Sequence, residues 1–227
     1  MNSVYVSTNI SIIIQIITGL IGLSGLFINV PEKHEILQNV LTLETIVQFI
    51  EISFYIFVLK SMAVTSLSKM AAARYLDWFI TTPIMLLTSI IFFKYEEYLE
   101  NNVGKKIDFW NFLKTERDNI IIITTCNFLM LFFGYLGEIG IIDMKVSLTL
   151  GFLFFGITFY YIYTNYAVKS KNGTLLFYYI LLIWGSYGIG AMMPHETKNN
   201  MFNILDIFSK NFFGLYLYYR ISKIKSN

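Results

Sequence analysis

The sequence has little charge and few of the side chains that most active sites need. Only 14% of its 227 residues are charged, whereas a soluble domain carries about 25%. It contains one cysteine, Cys126, and two histidines, His34 and His195, both of which lie in polar connecting segments. These counts exclude a disulfide framework, a thiolate metal cluster and a histidine-based active site within the apolar segments. Phosphate-loop, HExxH and GxSxG motifs are also missing, so we expect no metal site and no enzymatic activity.

Long apolar runs are what the sequence has in abundance. Hydrophobic residues make up 56% of the chain, aromatic residues 18%, and the mean hydropathy is +0.58. A helix needs roughly 20 mostly apolar residues to cross the hydrocarbon of a bilayer. Seven runs meet this length, at about residues 9–30, 36–59, 71–94, 119–137, 146–167, 174–193 and 201–220. The sequence therefore predicts an all-α membrane protein that forms one seven-helix bundle over residues 1–227.

The basic residues in the connections predict how this bundle is oriented. Cytoplasmic loops of membrane proteins carry an excess of lysine and arginine. With the N-terminus outside, eleven basic residues lie on the cytoplasmic side: Lys33, Lys94, Lys105, Lys106, Lys114, Arg117, Lys169, Lys171, Arg220, Lys223 and Lys225. Only four lie outside: Lys60, Lys69, Lys145 and Lys198. We therefore expect an extracellular N-terminus, a cytoplasmic C-terminus and a charged cytoplasmic loop over 95–118. A net charge of +2 without a basic stripe excludes a nucleic-acid partner.

Six ionisable residues lie within the apolar runs, where each costs roughly 2.5–3.5 kcal/mol or more at a helix centre. They are Glu44, Glu51, Arg74, Asp77, Asp206 and Lys210. Such residues can form a structural ion-pair network, or they can mark an ion path or the counter-ions of a charged cofactor. A buried lysine can also lose its proton and form a Schiff base, for which carboxylates nearby would stabilise the protonated form.

Two segments resemble the microbial (type 1) rhodopsins. The third span reads Arg-Tyr-Leu-Asp-Trp-Phe-Ile-Thr-Thr-Pro over 74–83, as in helix C of that family, and the seventh reads Leu-Asp-Ile-Phe-Ser-Lys over 205–210, as in its retinal-lysine helix. On the sixth span, Trp184 and Tyr187 match the aromatic pair that packs against retinal. The resemblance covers all seven spans in order.

This resemblance implies that Lys210 binds retinal as a protonated Schiff base. Asp77 would be the primary counter-ion and Asp206 the second carboxylate. Arg74 would lie on their extracellular side, and Thr81 would hydrogen-bond to Asp77. The pocket would be lined by Trp78, Thr82, Pro83, Trp184 and Tyr187.

The chain departs from the proton-pump pattern at several positions. Thr88 stands where pumps have a proton-donating acid, and Lys198 stands where they have an outward glutamate. Gly188 replaces the proline of the sixth helix and Ala191 replaces a pocket aromatic, which predicts a roomier pocket. These departures argue against efficient proton pumping while they leave retinal binding intact.

Three polar stripes at helical spacing predict a hydrated path past the lysine, because none of them can face lipid cheaply. They are Glu44, Gln48 and Glu51 on the second span, Ser11, Gln15 and Thr18 on the first, and Asn203, Asp206 and Lys210 on the seventh.

Channelrhodopsins are similar in having a cation path between helices 1, 2, 3 and 7, with glutamates on helix 2. The rhodopsins of large DNA viruses are more similar still, since they share the triplet Asp77, Thr81 and Thr88 and acids on helix 2.

We therefore favour a light-gated cation channel over two alternatives. These are an outward proton pump, with Asp77 as acceptor and a helix 2 glutamate as donor, and a photosensor. The expected partners are retinal, cations or protons and the lipid of the host cell membrane, while homo-oligomer formation stays open.

Overall fold

A computed structural model describes residues 2–225 of the chain, and these residues are almost entirely helical. Nine α-helices occur in this described part: α1 (Asn2–Gly25), α2 (Glu35–Ser61), α3 (Leu67–Glu100), α4 (Phe109–Thr115), α5 (Arg117–Glu138), α6 (Met144–Asn165), α7 (Lys171–Ala191), α8 (His195–Asp206) and α9 (Phe212–Lys225). Short 3-10 turns at Glu32–His34 and Ala167–Lys169 lie in two of the connections, and a π-helical turn at Ile207–Asn211 joins α8 to α9.

Side-chain caps fix the starts of several helices. Ser66 accepts a hydrogen bond from the amide of Lys69 at the start of α3, and Asp108 accepts one from the amide of Asn111 at the start of α4. Ser170 does the same for Gly173 at the start of α7. Such caps satisfy amides that have no partner within the helix, so the polar connections define where each apolar helix begins.

Six helices in the described part of the chain are long and apolar enough to cross a membrane, and they correspond to the first six predicted runs. The seventh passage consists of α8, the π turn and α9 in unbroken succession. Its first half begins with polar residues, and its apolar character is therefore weaker than that of the other spans. The expected seven-helix bundle is thus confirmed as the architecture, with α4 as a short additional helix.

The first predicted run and the first helix differ in their bounds. The run was expected at 9–30, but α1 begins at Asn2 and ends at Gly25. Ser3 and Ser7 donate hydrogen bonds to Glu196 and Asn200 of α8, and these contacts hold the polar start of α1 in the bundle. Hydropathy could not indicate this part of the helix, because it is stabilised by polar contacts between helices.

The predicted loop over 95–118 is also shorter than expected. Helix α3 continues to Glu100, and Tyr95 and Glu96 are buried in it. The connection then contains α4, whose Phe112 is buried against the bundle. Only the segment between these two helices is irregular.

Helix α3 lies at the centre of the bundle, where it packs against α2, α5, α7 and α8. Helix α1 packs against α2, α8 and α9, while α5 and α6 pack most extensively against each other. The end of the bundle at which α1 and α8 begin is called the N-terminal face, and the end at which α9 finishes is called the C-terminal face. Polar interior side chains concentrate between α1, α2, α3 and α8–α9, whereas the interior around α5 and α6 is mainly apolar.

Candidate functional site

Lys210 is the centre of a buried charge cluster. It lies in the π turn, and only 1% of its surface is exposed. Its Nζ donates a short hydrogen bond to Asp77 of α3 and lies 3.4 Å from Glu51 Oε1 of α2 and 3.8 Å from Asp206 Oδ1. Three helices thus direct carboxylates at one amine. A π turn of this kind is a frequent feature of functional sites, because it widens the helix locally.

Asp206 joins this cluster to a second cation. Its Oδ2 lies 3.1 Å from Arg74 Nη1 and accepts a hydrogen bond of 2.7 Å from the hydroxyl of Tyr55. Its other oxygen accepts one of 2.7 Å from Tyr187, whose hydroxyl also lies 2.9 Å from Ser209 Oγ. Both carboxylate oxygens are therefore held in fixed positions. Arg74 lies toward the N-terminal face from the lysine, and the sequence predicts that this face is extracellular.

Tyr55 was missed by the sequence reasoning. It is fully buried on α2, one helical turn after Glu51, and it contacts both Arg74 and Asp206. The spacing of four residues from Glu51 was a signal that could have indicated a shared face. A tyrosine in an apolar run is so common in this sequence that it did not stand out.

Thr81 makes a different hydrogen bond from the one expected. Its Oγ1 donates to the main-chain carbonyl of Asp77 at 2.9 Å, and not to the carboxylate. Threonine in a helix commonly bonds to the carbonyl four residues earlier, which explains the difference. Thr81 therefore buttresses the backbone that carries Asp77.

An apolar cavity of about 120 Å³ reaches Lys210 from the α5–α6–α7 side of the bundle. Trp78 and Thr82 of α3 line it on one side and Trp184 and Tyr187 of α7 on another, and all four belong to the predicted pocket. The indole of Trp78 packs edge-on against the ring of Tyr187, with ring centres 5.3 Å apart. The arrangement is a slot with aromatic walls and an amine at one end.

The cavity differs from the predicted pocket at one position. Pro83 is half-buried and does not line it, because Pro83 follows Thr82 by one residue and so points about 100° away around the helix. Gly188 and Ala191 do line the cavity. The space beside Gly188 is filled by Phe152 of α6, whose ring would lie 2.2 Å from a Cβ at that position.

Several cavity residues carried no signal in the sequence. They come from α5 and α6 and include Met130, Leu131, Gly134, Phe152 and Phe155. An apolar side chain in an apolar helix cannot be assigned to a pocket by spacing alone, because it fits packing against lipid equally well.

The first part of the predicted path lies toward the N-terminal face, between α1 and α8. The hydroxyl of Ser11 donates to the carbonyl of Asn203 at 3.1 Å. The Asn203 amide donates to Ser7 at 2.7 Å and to Thr8 at 3.0 Å, and its Oδ1 accepts a short hydrogen bond from Arg74. Ser11, Thr8 and Asn203 are completely buried. The polar chain therefore reaches from the start of α1 to the Arg74–Asp206 pair.

The middle part of the path lies beside Lys210. Gln15 of α1 is fully buried, and neither polar atom of its amide has a hydrogen-bond partner among the described residues. Thr18 contacts Gln48 of α2 at 3.3 Å and makes a short hydrogen bond to Asn211 of the π turn. Buried amides are normally hydrogen-bonded, so the Gln15 amide offers both a donor and an acceptor to a polar ligand inside the bundle.

The last polar group of the path is Glu44, which is buried against Thr88 of α3. The Thr88 hydroxyl forms a short hydrogen bond to Glu44 and also lies 2.9 Å from the carbonyl of Met85. A hydroxyl has one proton to donate, so both contacts are satisfied together when Glu44 itself carries a proton. No basic side chain is paired with Glu44 among the described residues.

An apolar layer separates Glu44 from the C-terminal face. It consists of side chains from four helices and includes Leu37, Val40 and Leu41 of α2, Ile91 and Phe92 of α3, Phe177 of α7, and Phe213 and Leu217 of α9. All of them are buried. The polar column formed by the path residues therefore ends at this apolar layer.

The central cluster contains more carboxylates than basic groups. The central cluster contains two basic groups, Lys210 and Arg74, and three carboxylates, Glu51, Asp77 and Asp206. With all five ionised, its formal charge is negative, and Glu44 adds a further carboxyl group. Carboxylates that line a path attract cations and repel anions.

Comparison with known proteins places this geometry in a family. A family model described as "Bacteriorhodopsin-like protein" matches residues 6–224. A search of curated protein sequences gave no significant match. Among solved structures, the viral rhodopsin OLPVRII is 29% identical, with a TM-score of 0.81, and the match covers 97% of this chain and 98% of that one.

Two further structures share the fold at lower identity. A blue light-absorbing proteorhodopsin from Med12 is 18% identical, with a TM-score of 0.74 and coverage of 99% and 98% of the two chains. Halorhodopsin, a light-driven chloride pump, is 13% identical, with a TM-score of 0.75 and coverage of 99% and 98%. Members of this family bind retinal through a Schiff base to a lysine. The match over nearly the whole chain shows that the protein is a multi-pass membrane protein of the bacteriorhodopsin-like family, the microbial rhodopsins.

Proposed function

We propose that this protein is a light-gated cation channel in the host cell membrane, with retinal bound to Lys210 and an ion path between α1, α2, α3 and α8–α9. The observation that carries the proposal is the buried polar column, because polar side chains from α1, α2 and α8–α9 line one interior past Lys210. The column includes Gln15, whose amide has no partner among the described residues. A channel needs such a wettable path, carboxylates that attract cations and constrictions that can open.

The residues around Lys210 fit retinal. The Lys210 amine meets an apolar cavity with aromatic walls, and Asp77 has one buried carboxylate oxygen without a hydrogen-bond partner among the described residues. Trp78, Trp184 and Tyr187 would hold the polyene, and Thr82 would line the same slot. When bound, retinal supplies light absorption and a change of shape next to the lysine.

The protein's own residues provide the charge balance. Asp77, Asp206 and Glu51 stabilise a positive charge on the Lys210 nitrogen, with Asp77 in direct contact. Arg74 compensates the excess of carboxylates and is itself held by Tyr55 and Asn203. A displacement of the Lys210 nitrogen would change all of these distances together, because the three carboxylates share it.

Three contacts close the column at different depths. Toward the N-terminal face, Arg74 bridges Asp206 and Asn203; at the centre, Lys210 bridges Asp77 and Glu51. Toward the C-terminal face, Glu44 and Thr88 close the space in front of the apolar layer. Only the central contact includes the retinal-binding lysine, so we infer that opening begins there and spreads along α2 and α8.

Whole-cell voltage clamp with light pulses tests this function, with retinal supplied and several holding potentials. A channel gives a photocurrent that reverses sign at a potential following the cation gradient. An outward current that keeps its sign at every potential would contradict the channel. A pigment that gives no current would favour a photosensor.

An outward proton pump is the second candidate, and the Glu44–Thr88 contact favours it. Thr88 stands at the position where pumps have an acid, and Glu44 supplies a carboxyl group to the same place from α2. Asp77 would accept a proton from the Lys210 nitrogen, and Glu44 would return one from the other side. The voltage-clamp measurement separates this candidate from the channel, since only passive flow reverses.

A further inference from the structure

A histidine lies buried at the C-terminal face, outside the column described above. His34 ends the 3-10 turn before α2, and only 8% of its surface is exposed. Its Nδ1 lies 2.7 Å from the hydroxyl of Tyr95 on α3, which is 2% exposed. The two rings pack edge to face, with centres 5.9 Å apart. The other histidine, His195, is exposed at the opposite face.

The neighbouring residues tie three helices together. Arg220 of α9 lies 2.7 Å from Glu96 of α3, which in turn accepts a hydrogen bond of 2.7 Å from Asn172 of α7. Arg220 also donates to Tyr216 at 2.9 Å and lies over the ring of Phe92. With His34 and Tyr95, the residues Glu96, Asn172 and Arg220 form a cluster, called here the terminal cluster, that connects the α1–α2 turn to α3, α7 and α9.

The terminal cluster closes the bundle beyond the apolar layer. Phe92 lies under Arg220, and the same ring packs against Phe213 and Tyr216. An ion that had passed Glu44 would have to cross this layer and then part the contacts of the cluster. The cluster therefore occupies the position of a last barrier on the path.

The charges around His34 make its protonation unfavourable while the terminal cluster is closed. Burial, Lys33 and Arg220 all lower the pKa of His34 from its ordinary value of 6.5. From α3, the side chains that face it are Tyr95 and Glu96, and the Glu96 carboxylate is already paired with Arg220 and Asn172. A proton on His34 adds a cation near Lys33 and Arg220, and the Glu96 carboxylate that could compensate it already pairs with Arg220. Protonation therefore weakens the closed arrangement.

We propose that His34 is a cytoplasmic proton-sensing site, and that its protonation loosens the terminal cluster and slows closing of the ion path. This inference rests on the proposed channel function and on the predicted cytoplasmic location of the C-terminal face. Since the pKa of His34 is lowered, the closed cluster keeps its full stability above about pH 6.5 and loses it as the pH falls through the lowered value. Cytoplasmic acidification thus prolongs the open state.

The test is the decay of the photocurrent after a light pulse, measured at pipette pH values between about 5 and 8, where histidine titrates. In the unmodified protein, we expect the photocurrent decay to slow as the pipette pH falls. The decay should slow by a factor of up to ~10 for each unit by which the closed cluster lowers the pKa of His34. His34→Gln should remove most of this dependence. His195→Gln is the matched control and should retain it.

Two further measurements keep the inference separate from the proposed function. Tyr95→Phe removes the hydroxyl that His34 contacts, and it should weaken the same pH dependence. This variant provides the test in case His34→Gln forms no pigment. Equal pH dependence in the unmodified protein and in His34→Gln overturns the inference. A response to bath pH alone overturns the cytoplasmic assignment. A current that never reverses contradicts the channel instead, and the sensing role is then measured as pH-dependent recovery of the pigment.

Discussion

The carboxylate of Glu51 on α2 lies 3.4 Å from the Nζ of Lys210, so the second helix contributes a third carboxylate to the lysine that we propose binds retinal. Asp77 and Asp206 were expected there from the resemblance to microbial rhodopsins, whereas Glu51 was expected only as a path residue. The contact joins the two roles in one side chain. Whatever moves the Lys210 nitrogen must therefore also change the contacts of a residue that lines the path.

Glu51→Gln should reduce the cation photocurrent several-fold and alter its decay, because it removes a negative charge from the centre of the column, beside Lys210. The absorption maximum should move to longer wavelength by less than in Asp77→Asn, since Asp77 contacts Lys210 directly. Glu35→Gln, an exposed position on the same helix, is the control. Equal and small effects of both substitutions would argue against a path along α2.

Asp77→Asn should shift the absorption of the pigment to longer wavelength. The substitution removes the carboxylate in direct contact with Lys210, so the positive charge on the nitrogen loses its nearest partner in the ground state. An absorption spectrum of the purified pigment measures the shift. An unchanged spectrum would instead identify Asp206, at 3.8 Å, as the dominant counter-ion.

Lys210→Ala should abolish covalent pigment formation, because it removes the amine at the end of the aromatic cavity. The measurement is the visible band after retinal is added, before and after denaturation. Lys223→Ala, at an exposed position on α9, should leave the band intact. A band that persists in denatured Lys210→Ala would show that another lysine carries retinal.

Lys198→Met should destabilise the pigment by about 3–5 kcal/mol, since it leaves a buried carboxylate without its partner. Lys198 Nζ lies 2.9 and 3.0 Å from the two oxygens of Glu138, and both side chains are almost fully buried. The double substitution Lys198→Met with Glu138→Leu should recover most of the loss, because no unpaired charge remains. Thermal bleaching rates of the three proteins provide the test, and a double variant no more stable than the single one would contradict it.

The sequence predicted those parts of the site that rest on rare residues. Charges in apolar spans are costly, so Arg74, Asp77, Asp206 and Lys210 were conspicuous, and the structure brings them together. The polar stripes were equally visible, because their helical spacing stands out against an apolar background.

The remaining features depend on packing that no spacing rule encodes. Phe152 fills the space beside Gly188 from another helix, and Tyr55 was one of many tyrosines in apolar runs. The terminal cluster was hidden because Glu96 was expected in a loop, although α3 continues beyond it and buries it. Local sequence indicates which residues are unusual, whereas tertiary packing decides which ordinary residues join them.

The π turn at Ile207–Asn211 also determines the direction in which the side chains of α9 point around the helix axis. Each residue of an α-helix advances the side-chain direction by about 100°. A π turn accommodates one additional residue, so replacing it by a regular turn would swing the α9 side chains around the helix axis by roughly that angle. Arg220 would then point away from Glu96. The same local distortion that positions Lys210 among its carboxylates thus aligns the far end of the helix with the terminal cluster.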